Sequence, residues 1–96
     1  MKTAMDYAQQ ALRFVERVTD DVDALRADWQ QAMKDGRRMA RGKRLRAPMV
    51  AQHARIEAGM AARSARQARG WWREEYAAIA CSFACGAAWY AGFAEA

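Results

Sequence analysis

The residues that could do chemistry are the cations. The chain has 96 residues, with 16 Lys and Arg against 11 Asp and Glu, a formal net charge of +5. The charge is unevenly spread. Residues 36–73 carry eleven Lys or Arg and one acid, Glu57, for a net +10. Residues 1–35 are net −2, and residues 74–96 are net −3. Six of the ten residues from 37 to 46 are basic: Arg37, Arg38, Arg41, Lys43, Arg44 and Arg46. Such a cluster suits phosphate, because each contact releases a condensed counterion and gives salt-sensitive affinity. Arg63, Arg66 and Arg69 would extend the patch. The partner would then be a nucleic acid or a nucleoprotein complex. Two observations weigh against this. No helix-turn-helix, zinc-finger or RNA-recognition pattern is present. Nor are aromatics interleaved with the basic run, as single-strand binding would want. The bland alternative is a solvated basic face paired with the acids of the first helix.

Other reactive groups are few. His53 is the sole histidine, and it shares a row with Met49, Ile56 and Met60, which suits a core or boundary position. Cys81 and Cys85 stand four apart on one expected helix, sharing a face without the geometry for a disulfide. Reduced, buried thiols in a cytoplasmic setting follow. With His53 they supply at most three ligands, short of a structural zinc site. Cys–His catalysis would need a third, orienting group and a cleft. No metal, cofactor or enzymatic activity is therefore expected.

The aromatics suggest a different use. Trp71 and Trp72 are adjacent, so only one can join the helix row of Tyr76, Ile79, Phe83, Gly86, Tyr90 and Phe93. That reading turns Trp72 inward and leaves Trp71 outside. Trp71, Arg73 and Trp89 then form a candidate partner interface, since exposed Trp and Arg are the composition of a binding hot spot. The alternative is that a broad helix face buries the rings.

Three elements must position these groups. One domain is expected at this length, all-α, with no strand-like alternation. The first helix is expected over about 3–34, capped by Thr3 with Asp6 in its first turn, and stopped by Asp35-Gly36. A basic loop spans 35–47. Pro48 opens a second helix over about 48–69. In it Ala51, Ala54, Ala58, Ala61, Ala65 and Ala68 recur at heptad spacing, which permits close helix approach. Gly70 breaks the chain before a third helix, about 71–93. Gly59, Gly86 and Gly92 fall inside helices and suggest close helix contacts.

Residues 76–94 carry no charge. The run nearly reaches the roughly 20 residues that span a bilayer, with Trp at both ends. It is rich in Ala, however, and the buried helix of a small bundle explains it equally well. No signal-peptide pattern opens the chain.

These readings converge on a three-helix bundle, with self-association through the Ala row or the last helix as a way of completing it. The expected function is non-enzymatic binding of nucleic acid or a nucleoprotein complex through 37–73. One alternative is a small phage- or mobile-element-type inhibitor or adaptor that docks on a host protein through a Trp patch. Another is a membrane-associated protein with a spanning helix at 72–94.

Overall fold

The computed structural model describes residues 1–41 and 47–95. Four helices account for nearly all of them: α1 (Ala4–Glu16), α2 (Val22–Met39), α3 (Ala47–Gln67) and α4 (Arg73–Ala94). A single 3-10 turn, Gly70–Trp72, leads into α4. The protein is an all-α bundle, as its composition implies.

Local chemistry starts α1 as expected. The Thr3 hydroxyl accepts from the Asp6 amide at 3.2 Å, and the Asp6 carboxylate accepts from the Thr3 amide at 2.8 Å. This reciprocal capping box satisfies two amides that the first helical turn leaves open.

The expected single helix over 3–34 is in fact two. The amides of Val18 and Thr19 both donate to the Val15 carbonyl, which closes α1. Asp21 then caps α2, its carboxylate accepting from the Ala24 amide at 2.9 Å. Thr and Asp bond readily to nearby backbone, so Thr19-Asp20-Asp21 competes with helix and wins. The break lets α2 leave the line of α1 and pack on α4 instead.

Gly36, expected to end the first helix, lies inside α2. It does not stop the helix; α2 continues through it to Met39. The glycine is there because the backbones of α2 and α4 touch. A Cβ at Gly36 would overlap the Trp89 carbonyl oxygen, and one at Gly92 would overlap the Met33 carbonyl oxygen. The two glycines form one crossing point. Gly86 serves the α3 side, where a Cβ would come within 2.9 Å of the Glu57 carboxyl carbon. Gly59 has no such role, since nothing lies within 4 Å of where its Cβ would stand.

Helix α4 is the centre. It packs against α3 on one flank and α2 on the other, while α1 lies beneath the α3–α4 pair and barely meets α2. The buried face of α4 is its alanines: Ala80, Ala84, Ala87, Ala88 and Ala91 are fully enclosed. Of the expected row, Trp72, Tyr76, Ile79, Phe83, Gly86 and Tyr90 flank that face rather than forming it, whereas Phe93 is buried in the core. Ile79 is 43 % exposed and Trp72 is 62 % exposed, so Trp72 does not turn inward. Small side chains let α1, α2 and α3 all reach the α4 backbone, which larger ones would prevent. Among the described residues, Val15 and Val50 are the fully enclosed side chains larger than Ala. Trp29 ties the layers together, its indole N–H donating to the Ala8 carbonyl at 3.1 Å.

Gly70, at φ +60°, is the only described residue in the left-handed region. It turns the chain between α3 and α4, as expected from its place before Trp71, and any L side chain there would be strained.

Candidate nucleic-acid interface at the basic pole

The bundle has two distinct ends. At one, α2 finishes beside the end of α4, with Arg37 bonded to Glu95 at 3.0 Å, and the start of α3 meets the N-terminal residues and the end of α4. At the other, the α1–α2 break meets the start of α4, with Arg73 at 3.4 Å from Asp20. The helix dipole favours cations in the last turn of α2, where Arg37 and Arg38 sit.

Lys34, Arg37, Arg38 and Arg41 line one shallow concavity together with Gln31. Spacings of three, four and seven from Lys34 place these side chains on one face of α2 and its continuation. No acid lines this concavity. Asp35 and Glu95 pair with Arg38 and Arg37 from its margin. All four of these side chains are at least two-fifths exposed. Exposed pairs of this kind contribute about 0–1 kcal/mol, so the two carboxylates hold these arginines only weakly. Lys34 and Gln31 are additions to the expected set. The signal for Lys34 is its helical spacing from Arg37, Arg38 and Arg41, which is hidden when Gly36 is taken as a helix stop. Lys43, Arg44 and Arg46 lie outside the described residues.

The supporting arginines do not join this concavity. Arg63 and Arg66 lie in the far half of α3, and Arg69 follows it. Sixteen residues of helix separate Arg63 from the start of α3, roughly 24 Å at about 1.5 Å per residue. The end they reach is of mixed charge, shared with Asp20, Asp21, Glu74 and Glu75. Arg66 instead borders a groove between α1 and α3, with Lys2, Tyr7, Phe14 and Arg55.

The aromatic set divides too. Trp71 is 96 % exposed, as its place outside the helix row implied. Trp89 is half-buried and packs against the core. Its ring stacks on Phe93 at 5.4 Å and meets Tyr90 edge-on at 5.2 Å. Arg73 is exposed, with its guanidinium toward Asp20.

His53 is exposed, and its ring stacks on Tyr90 at 5.0 Å. Cys81 and Cys85 are free and half-buried, facing Asp28 and Asp35 across the α2–α4 seam. Burial pushes both thiols up, Cys85 to about 11, with the Asp28 carboxylate adding to the effect. These are protonated thiols, ill suited to nucleophilic attack. Among the described residues no three of His, Cys, Asp and Glu come together as a metal cluster.

The segment Gly70–Ala94 is long and apolar enough to cross a membrane, yet 44 % of its most apolar stretch is buried inside the bundle. No protein-family model, curated protein or solved structure matches the chain.

Proposed function

We propose that this protein is a non-enzymatic helical module that binds nucleic acid, or the nucleic acid of a nucleoprotein complex, by its phosphates. The observation that carries this reading is the concavity of Lys34, Arg37, Arg38 and Arg41, four cations on one face with no acid lining it. Arginine forks hold phosphate oxygens two at a time, and Lys34 adds a point charge. Lys43, Arg44 and Arg46 follow directly in sequence and add to the charge of this segment. The bonds would be to backbone phosphates, so they favour register and affinity over base sequence.

The test is a comparison of two triple variants in fluorescence anisotropy with a labelled oligonucleotide. Arg37→Ala/Arg38→Ala/Arg41→Ala should weaken binding at least tenfold at low salt. It should also flatten the plot of log affinity against log salt by about 0.7–0.9 for every phosphate no longer neutralised. Arg63→Ala/Arg66→Ala/Arg69→Ala should bind much as the parent does. Unchanged affinity in the first triple would refute the reading.

A second reading rests on Trp71. An almost fully exposed indole on a turn, with Arg69 and Arg73 beside it in sequence, has the make-up of an anchor for a partner protein. On this reading Trp71→Ala loses the partner and keeps full helicity.

A further inference from the structure

In sequence, the aromatic residues stand apart from the basic run. The fold brings rings and cations together along the groove between α1 and α3. Tyr7 and Phe14 line it from α1, and Arg55 and Arg66 line it from α3. The start of α1 lies beside the start of α3, so the two helices run the same way. Tyr7 and Arg55 are therefore nearer the basic pole, with Lys2 beside them, and Phe14 and Arg66 are nearer the other end. Between the walls lie Ala58, Gly59 and Ala62, whose small side chains keep the groove open. Among the described residues no acid lines it. The acids of α1 and α3 have other partners. Asp6 holds the Thr3 amide, Glu16 pairs with Arg26, and Glu57 lies against Gly86 of α4.

Core packing does not account for both rings. Each is half-buried; Tyr7 packs against the core, and Phe14 stands outside that cluster. Each also meets a cation. Lys2 Nζ is 5.7 Å from the centre of the Tyr7 ring, and Arg17 Cζ is 5.9 Å from that of Phe14. Both distances are close to the roughly 6 Å limit of a useful cation–π contact. Lys2 and Arg17 are themselves exposed.

We propose that the α1–α3 groove binds a short run of single-stranded nucleic acid, with unpaired bases stacked on Tyr7 and Phe14 and phosphates on Lys2, Arg55 and Arg66. Cations that track a backbone beside rings that stack its bases are the working parts of single-strand recognition. The spacing of the rings selects the single strand. Seven residues set them roughly 10 Å apart along α1 at about 1.5 Å per residue. Bases within a duplex strand follow one another at about 3.4 Å and hide their faces in the stack, so only splayed bases reach both rings. An acidic peptide answers the cations but brings nothing flat to the rings. A stacked base adds roughly fivefold to a hundredfold in affinity, which exceeds the exposed cation–π contact it replaces. Lys2 and Arg17, once displaced, turn to phosphate. This groove shares no residue with the basic pole. It goes beyond the pole's attraction for any polyanion by distinguishing one form of nucleic acid from another.

Anisotropy titrations with a labelled single strand and a labelled duplex of the same length, at one low salt concentration, separate the two sites. Paired bases leave the rings unused, so the duplex reads the pole, and the Arg63, Arg66 and Arg69 triple variant is neutral there. The single strand reads the groove as well. Tyr7→Leu/Phe14→Leu keeps apolar bulk and removes both flat faces. It should weaken single-strand binding roughly tenfold or more, while duplex binding and helicity by circular dichroism stay unchanged. Gly59→Leu puts a side chain where nothing lies within 4 Å, so it fills the groove without disturbing the bundle and should give the same split. Single-strand affinity that survives both variants overturns the inference, as does an equal loss on both oligonucleotides or a wild type that binds no single strand. If Arg37→Ala/Arg38→Ala/Arg41→Ala weakens binding and the groove variants do not, the groove alone is refuted; the reverse pattern refutes the pole alone. Polyglutamate that competes for the groove as well as an unlabelled single strand of equal charge overturns the inference in favour of an acidic peptide.

Discussion

Glu57 is the residue at which packing and charge meet most closely. Its carboxyl lies against the space that a side chain at Gly86 would fill. Burial raises its pKa above the usual 4.5, and His53, four residues earlier, works against the rise. A carboxyl raised on folding favours the folded state when protonated. Its contribution is complete below the unfolded pKa and is lost as pH climbs through the folded one. Glu57→Gln is uncharged at every pH and should therefore melt higher than the parent at neutral pH. The gap should close as both proteins are acidified toward the ordinary carboxylate pKa. A gap that is constant across this range would show that the carboxyl's charge is not the cause.

At the scale of elements, the helices cross where glycine permits. Gly36 on α2 and Gly92 on α4 let two backbones meet, and Gly59 on α3 faces open space. Gly36→Ala forces a methyl group into the Trp89 carbonyl. The overlap outweighs the roughly 1 kcal/mol gain in helix propensity, leaving a net loss of about 1–3 kcal/mol. Gly59→Ala meets nothing and should stabilise by about 0.5–1 kcal/mol through propensity alone. For a domain of this size, about 1 kcal/mol shifts the melting temperature by about 4–8 °C. The two variants should therefore move it in opposite directions, which thermal denaturation followed by circular dichroism reads directly.

Much of this architecture is legible in the chain. The helical class, the Thr3 cap, the Pro48 start and the Gly70 break all follow from residue types with strong backbone preferences. The break at Thr19-Asp20-Asp21 is written in weaker residues, and the apolar periodicity running across it masks the change of direction. Gly36 is ambiguous for a different reason. A glycine after a helix and a glycine inside a helix crossing look alike until the second backbone is in place. The same limit applies to α4. Period alone selects the row of large side chains, but the core takes the row of alanines, because close approach of three helices needs small residues. The exposure of Trp72 follows from that choice. At the basic pole, Arg37, Arg38 and Arg41 stand out by type and number. Lys34 does not, because only an unbroken α2 puts it on their face.

At the scale of the whole molecule, the fold separates what the sequence keeps together. The basic middle of the chain is one run in sequence and two ends in space. One end gathers Lys34, Arg37, Arg38 and Arg41 around a concavity free of acids. The other mixes arginines with Asp20, Asp21, Glu74 and Glu75 and presents Trp71. The elongated form, 44 × 24 × 17 Å, keeps the two apart. On the proposed phosphate reading, it is the first end whose field draws in a polyanion.

The most direct test of that claim is the salt dependence of nucleic-acid binding by the unaltered protein. Anisotropy titrations with a labelled duplex and a labelled single strand, run from low to physiological salt and beyond, give the slope of log affinity against log salt. Roughly three to four phosphates neutralised at the basic pole predict a slope of about −2 to −4. A slope near zero, or no binding to either oligonucleotide at the lowest salt, would contradict the account.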